Sequence, residues 1–301
     1  MAKTDDLIKK IANSFIKKIE AFNGKWEKPF FTANIPAINV MSKKYYRGIN
    51  LAVLWIAQED NGYTSNKWGT FDQWKAKKKS IRKGETGTMV LFFKPTKFDV
   101  EITNENGETE IEEHESCLLR YYTVFNECQM ADYVPEQITE TPQNVIDEVN
   151  SFKTDFIDKT GIEYEEGKGR ACYIPSIDKV YLPSIEQFTI KSEYIPTACH
   201  EFTHATGAKN RLNRDFSGKF GDESYAFEEL VADIGAGFVS SALGKPYIFQ
   251  NNNIAYLKSW VKVLQDHPKA ILKACNHAQK AADYLLKLAD INANSLENIK
   301  E

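Results

Sequence analysis

Leu7, Ile8, Ile11, Phe15, Ile16 and Ile19 recur at three- and four-residue steps, which predicts an amphipathic helix over residues 5–22 with Lys9, Lys10, Lys17 and Lys18 on its wet side. Gly24 ends it. After a loop containing Pro29, Asn34, Pro36 and Asn39, the run from Leu51 through Leu54 and Trp55 to Asp60 suits a second helix. Thr70 followed three residues later by Gln73 forms a capping box that opens a short third helix through Trp74 and Lys75. The β-branched and aromatic run from Met89 to Phe93 reads as a strand, with further strands at 97–103 and 116–126. Residues 127–142, polar and holding Pro135 and Pro142, read as a linker. A helix over 143–159 then precedes strands at 162–165 and 171–182, the latter folded about Pro175 to Asp178, before helices at 194–207, 223–243, 251–265 and 268–290. The expected class is α+β in two domains: an α+β domain over 1–126, and a mainly helical one with a small sheet over 143–301.

Composition narrows the classes. With 301 residues, 42% of them apolar and 27% charged, the chain can build packed cores, so disorder is excluded as its dominant state. No apolar stretch approaches the ~20 residues that span a bilayer, and the N-terminus lacks a signal peptide's apolar segment, so a soluble, cytoplasmic protein without a membrane partner is expected. Cys117, Cys128, Cys172, Cys199 and Cys275 form no CxxC pair and are expected as free thiols.

The net charge of −4 hides a division: residues 1–98 hold 19 Lys and Arg against 8 Asp and Glu. Trp26, Trp55, Trp68 and Trp74 lie in this basic part, beside Phe30, Phe31, Tyr45, Tyr46 and Phe71. Cations interleaved with rings suit single-stranded DNA, because phosphates pair with Lys and Arg while exposed bases stack on aromatics. Arg47, Lys67, Arg82 and Lys83 are the candidate phosphate contacts, and Tyr46, Trp68, Phe71 and Trp74 the candidate stacking rings. The competing reading makes the rings core and the lysines a solvated face.

The sharpest chemical signal is His200-Glu201-Phe202-Thr203-His204. On a helix, positions i and i+4 share a face, so both imidazoles can reach one Zn²⁺ while Glu201 stands beside them as a proton acceptor. Mn²⁺ or another divalent ion would suit the same donors. A third ligand must come from elsewhere, and Glu228 to Asp233 offers it about 25 residues on. Glu229 and Asp233 share a face, which lets Glu229 bind metal while Asp233 orients a histidine; Glu228 points about 100° away. A rival reading makes Asp233 the ligand, and a plainer one makes Glu228 and Glu229 an acidic first turn favoured by the helix dipole. His114, His267 and His277 are assigned no chemistry, and Cys199 reads as a small buried residue.

These residues resemble a known family. Tyr46-Arg47-Gly48-Ile49-Asn50, Trp68-Gly69-Thr70-Phe71-Asp72-Gln73-Trp74, Arg82-Lys83-Gly84-Glu85-Thr86-Gly87 and Val124-Phe125-Asn126 with Gln129 are similar to the single-stranded-DNA-binding domain of ArdC antirestriction proteins, which is related to the N-terminal part of TraC primases. His200 to His204, Thr206-Gly207, Arg211-Leu212-Asn213-Arg214 and Tyr225 to Ala232 resemble the zincin-like metallopeptidase domain of the same proteins. The resemblance implies a protein of mobile elements that binds incoming single strands and protects them from host restriction. It also implies zinc held by His200, His204 and Glu229, Glu201 as the catalytic base, and a protein substrate, with a host restriction or defence component as a candidate. Tyr173 and Tyr225 are candidate oxyanion donors, and the strand near Tyr181 a candidate for aligning substrate by β-augmentation. The alternative is a DNA-binding shield whose metal site is structural or regulatory; a priming enzyme ranks last, because the acidic metal cluster that such chemistry needs is missing.

Overall fold

The first helix, α1 (Ala2–Ala21), buries Ile8, Ile11, Phe15, Ile16 and Ile19, the stripe that its periodicity predicts. The structure is a computed structural model; it describes residues 2–21, 36–103, 109–135, 145–167, 169–188, 193–218, 222–244 and 254–290, so Trp26, Phe30 and Phe31 lie outside the described residues. A two-residue strand, β1 (Ile38–Asn39), leads to α2 (Ile49–Asn61), then β2 (Lys67–Thr70) and α3 (Phe71–Ala76). The Thr70–Gln73 capping box is present in both directions at the start of α3.

Two long strands follow, β3 (Thr88–Thr103) and β4 (Thr109–Asn126), paired antiparallel from Thr88↔Val124 to Thr103↔Thr109. The two strands replace the three shorter ones that the sequence predicts at 89–93, 97–103 and 116–126. Pro95 sits within β3, which is an edge strand of the sheet order β1-β2-β4-β3, and an edge strand tolerates a missing amide. Asn50 in the first turn of α2 covers the other side of that edge, donating to the Leu91 carbonyl at 2.6 Å and accepting from its amide at 2.7 Å. Beyond β4, residues 127–129 form a 3-10 turn in which Gln129 is buried, its Nε2 donating to Glu85 at 2.9 Å and to the Thr86 carbonyl at 3.0 Å. These residues, placed in the linker by composition, belong to the packing of the first half.

The second half opens with α4 (Val145–Thr160) and a three-stranded sheet of order β5-β7-β6, formed by β5 (Glu163–Gly167), β6 (Cys172–Ile174) and β7 (Lys179–Pro183). Then come α5 (Tyr194–Ala205), α6 (Glu223–Ala242), α7 (Ile254–Asp266) and α8 (Ala270–Leu288). The architecture is α+β, with two small sheets among eight helices in the described residues.

The two halves share one hydrophobic core. Ile11, Phe15, Leu54 and Trp55 belong to the same cluster of buried residues as Phe238, Leu264, Cys275 and Leu285. α1 packs on α7 and α2 on α8, and the rings of Trp55 and Phe238 lie 5.4 Å apart. The Tyr46 to Asn50 segment joins them: Arg47 pairs with Asp283 on α8, and the Gly48 amide donates to Gln279 Oε1 at 2.8 Å. Gly48, with φ of 55° and ψ of −133°, stands where α2 begins, in a backbone region that glycine adopts and residues with a Cβ rarely do.

Candidate metal centre and nucleic-acid interface

α5 is buried along most of its length, through Ala198, Cys199, Phe202 and Ala205, and carries His200 and His204 on one face. α6 crosses it closely because Gly235 faces Thr203; a Cβ on residue 235 would lie 2.6 Å from the Thr203 methyl. This proximity brings Glu229 to the histidines. Its carboxylate oxygens are 3.4 Å from His200 Nε2 and 3.6 Å from His204 Nε2, and the two Nε2 atoms are 3.1 Å apart. A tetrahedral ion with bonds of about 2.0–2.1 Å requires ligand separations of about 3.3–3.4 Å, and the three groups stand close to that spacing, with Oε2 of Glu229 toward His200 and Oε1 toward His204. Among the described residues these three form the one cluster of His, Cys, Asp and Glu donors suited to a metal.

The opposite ring nitrogens are both held by carboxylates. His200 Nδ1 lies 2.8 Å from Asp233 Oδ1, and His204 Nδ1 lies 3.1 Å from Glu228 Oε1. Carboxylates there accept the Nδ1 proton and leave Nε2 as the electron-pair donor. The sequence reading placed Asp233 in this position. Glu228 points away from Glu229, as helix geometry requires, and does so toward the back of His204. Buried Arg214 grips Glu228 from the far side, with Nη2 to Oε1 at 2.7 Å and Nε to Oε2 at 2.9 Å, and also donates to Thr206 Oγ1 and the Thr203 carbonyl. The available signal was an unexplained arginine in Arg211-Leu212-Asn213-Arg214 just before an acidic helix start.

Charge governs the protonation of the cluster. Burial disfavours the charged form of both imidazoles, but Asp233 holds His200 well above its ordinary range and Glu229 holds His204 at about 9. Burial also pushes the Glu201 carboxyl up, against the attraction of both imidazoles and the opposing effect of the nearby Tyr173 backbone amide on β6. The Cys199 thiol, fully buried, is pushed up to about 12. Cys128, Cys172, Cys199 and Cys275 are free thiols; the side chains of Cys117 and His114 lie outside the described residues. His277 packs edge-on against Phe227, with ring centroids 6.1 Å apart.

The neighbouring hairpin corrects two expectations. β7, which ends near Tyr181, is the middle strand of its sheet, paired on both sides, and has no free edge to receive a peptide; the edge beside Glu201 is β6. The Tyr173 hydroxyl is also engaged, donating to Asp178 Oδ1 at 2.9 Å. Asp178 in turn pairs with buried Arg211, whose Nε donates to the Ala205 carbonyl at the end of α5. This chain of contacts fastens the β6–β7 turn to the helix that carries the histidines. Tyr225 sits half-buried in the first turn of α6.

In the first half, the structure separates the nominated DNA contacts. Trp68 is 0% exposed and Trp74 1%, with the Trp74 Nε1 donating to the Phe125 carbonyl at 2.9 Å; neither ring offers a face to a base. Burial follows from their places, on a strand inside the sheet and on the inward face of α3. Tyr46 is half-buried and its hydroxyl accepts from Asn39 Nδ2, whereas Phe71 is exposed. Arg47 is paired with Asp283, Lys67 with Glu127 at 3.4 Å, and Arg82 with Glu85, while Lys83 is exposed.

A histidine pair and a glutamate on crossed helices, beside a small sheet, define a zincin-like metallopeptidase fold, and residues 153–277 match the family model of that description. Residues 5–125 match the model of the N-terminal domain of anti-restriction factor ArdC. Crystal structures of the antirestriction ArdC protein from the R388 plasmid superpose with a TM-score of 0.71 for the metal-free form, at 33% identity over 95% of this chain and 98% of that one, and 0.70 for the Mn(II)-bound form, at 32% identity over 98% and 99%. The chain belongs to the ArdC antirestriction family. It is also 33% identical over 284 residues to the uncharacterised protein y4eC of Sinorhizobium fredii, covering 93% of this chain and 91% of that protein. A DNA primase TraC of Escherichia coli is 29% identical across 92% of this chain, which corresponds to 26% of the primase. No described helix is long and apolar enough to cross a membrane.

Proposed function

We propose that this chain is an antirestriction protein of a mobile element, which binds incoming single-stranded DNA in the recipient cytoplasm and carries a divalent-metal-dependent peptidase-like centre. The convergence of His200 Nε2, His204 Nε2 and Glu229 on one point, with Glu201 buried alongside, carries this reading. The donor set suits Zn²⁺, and Mn²⁺ is the ion named for the solved relative. A divalent ion there supplies Lewis acidity toward a carbonyl and toward water.

The protein's own residues do the rest. Asp233 and Glu228 fix the two imidazole planes, and Arg214 fixes Glu228. Glu201, whose pKa is raised by burial, is suited to take a proton during attack and return it to a leaving amine. The edge of β6 beside it is the strand against which an extended peptide would lie.

The test compares transfer of unmodified DNA into a restricting recipient that makes either the wild type or Glu201→Gln. Loss of protection at equal protein level and equal metal content supports a catalytic centre. Full protection by Glu201→Gln removes the peptidase reading and leaves protection to DNA binding, the role of a shield.

A further inference from the structure

We propose that single-stranded DNA is held on the exposed face of the β3–β4 ribbon by Phe92, Tyr122 and Arg120. This inference rests on the single-strand-binding reading above and supplies the surface that buried Trp68 and Trp74 cannot.

The register places these residues together. Phe92 pairs with Arg120 and Val90 with Tyr122, so all four, with Val124, belong to one face of the ribbon. Close to the body of the protein this face is core, since Val90 and Val124 are buried. Farther out the same face emerges, leaving Phe92 51% and Tyr122 45% exposed. The two rings are diagonal cross-strand neighbours and meet edge to face, with centroids 6.0 Å apart and planes at 79°. That contact braces each ring while keeping about half of it in water. Phe71, 58% exposed, leaves β2 immediately after Thr70, which pairs with Val124, two residues along β4 from Tyr122.

Charge distinguishes this face from the one that the sequence suggested. Arg47, Lys67 and Arg82 are each matched by a carboxylate, whereas Arg120 is exposed with no carboxylate partner among the described residues. An exposed guanidinium beside two water-facing rings offers one group for a phosphate and two surfaces for bases. Duplex DNA keeps its bases stacked inside and would meet the arginine alone, so the face selects single strands. Base stacking on a ring is tolerant of sequence, which suits a protein that must meet any incoming strand.

Fluorescence anisotropy with the full chain tests this, using a labelled oligo(dT) of about twenty nucleotides and an abasic strand of equal length, at low salt. The wild type is expected to prefer oligo(dT). Phe92→Ala and Tyr122→Ala should each weaken oligo(dT) binding roughly tenfold and leave abasic binding unchanged, while Tyr122→Phe, which keeps the ring, should bind within about twofold of wild type. Arg120→Ala should weaken both strands and lower the slope of log affinity against log salt by about 0.7. All three side chains are exposed to water and none belongs to the buried core, so melting temperatures should move little. Wild-type binding that Phe92→Ala and Tyr122→Ala leave intact, or that does not distinguish the two strands, overturns the stacking face while single-strand binding stands. A wild type that does not bind oligo(dT) at all removes the single-strand reading, and this surface with it.

Discussion

Arg214 and Glu228 are joined by two parallel bonds inside the second half of the molecule, Nη2 to Oε1 at 2.7 Å and Nε to Oε2 at 2.9 Å, and the same Oε1 faces His204 Nδ1. Lysine can replace the charge of Arg214 but not its fork. Arg214→Lys and Glu228→Gln are therefore expected to weaken divalent-metal affinity about 10- to 100-fold with the fold retained. Competition titration against a metallochromic chelator, with circular dichroism as the check on folding, measures it. Unchanged affinity in both variants would show that His204 needs no such support.

The donors differ from their neighbours in what their removal does. His204→Ala should abolish stoichiometric metal and Glu229→Ala should greatly weaken it, whereas Glu201→Gln should retain the ion because Glu201 stands beside the three donors rather than among them. Elemental analysis of the purified variants gives the answer directly. If Glu229→Ala keeps full metal while Asp233→Ala loses it, the third ligand is Asp233.

Asp178 is held below its ordinary carboxylate range by Arg211, against the opposing effect of burial. A carboxyl whose folded pKa is lowered contributes stability above its unfolded value of about 3.9, and that contribution is lost as pH falls through the folded value. Asp178→Asn should lower stability at neutral pH by about 1–2 kcal/mol, a figure discounted for the partial exposure of Asp178, and should flatten the acid limb of the stability curve. The φ of 49° at this position is one that asparagine accepts, so backbone strain does not confuse the result. Urea melts of both proteins at neutral and acid pH are the measurement; equal acid limbs would exclude Asp178 from the pH response.

Phe238 touches Trp55 across the boundary between the two matched domains. Phe238→Ala should cost about 3–5 kcal/mol, and, because the core is common, should lower the melting of both halves together. Calorimetry combined with tryptophan fluorescence resolves this. Two separated transitions, only one of them shifted by the substitution, would mean that the halves are energetically independent.

The helices and the two histidines were legible because both depend on local spacing. The stripe of α1, the capping box of α3 and the i, i+4 pair on α5 are each written within a few residues. What failed was the direction a side chain faces when that direction is set by distant chain. Trp68 and Trp74 stand among exposed lysines in sequence yet point inward, whereas Phe92 and Tyr122, ordinary strand residues in sequence, point out where the ribbon leaves the core. Glu228 was set aside for the same reason. Two adjacent residues on a helix can serve one site when a crossing helix lies between them, as α5 does between Glu228 and Glu229. Arg82 and Arg47, apparently spare cations, were committed to Glu85 and to Asp283, one of them 236 positions away.

The common core also governs what evolution can do with this chain. A recombination joint placed between residues 127 and 142 would divide Trp55 from Phe238 and Arg47 from Asp283, exposing apolar surface on both products. The chain's shared core therefore favours inheritance of the two halves together. Its match within TraC fits that rule: 92% of this chain corresponds to about a quarter of the primase, with both halves carried together into a longer protein. The two halves then diverge under mutual constraint, because a substitution that loosens one side of the shared interior is felt on the other.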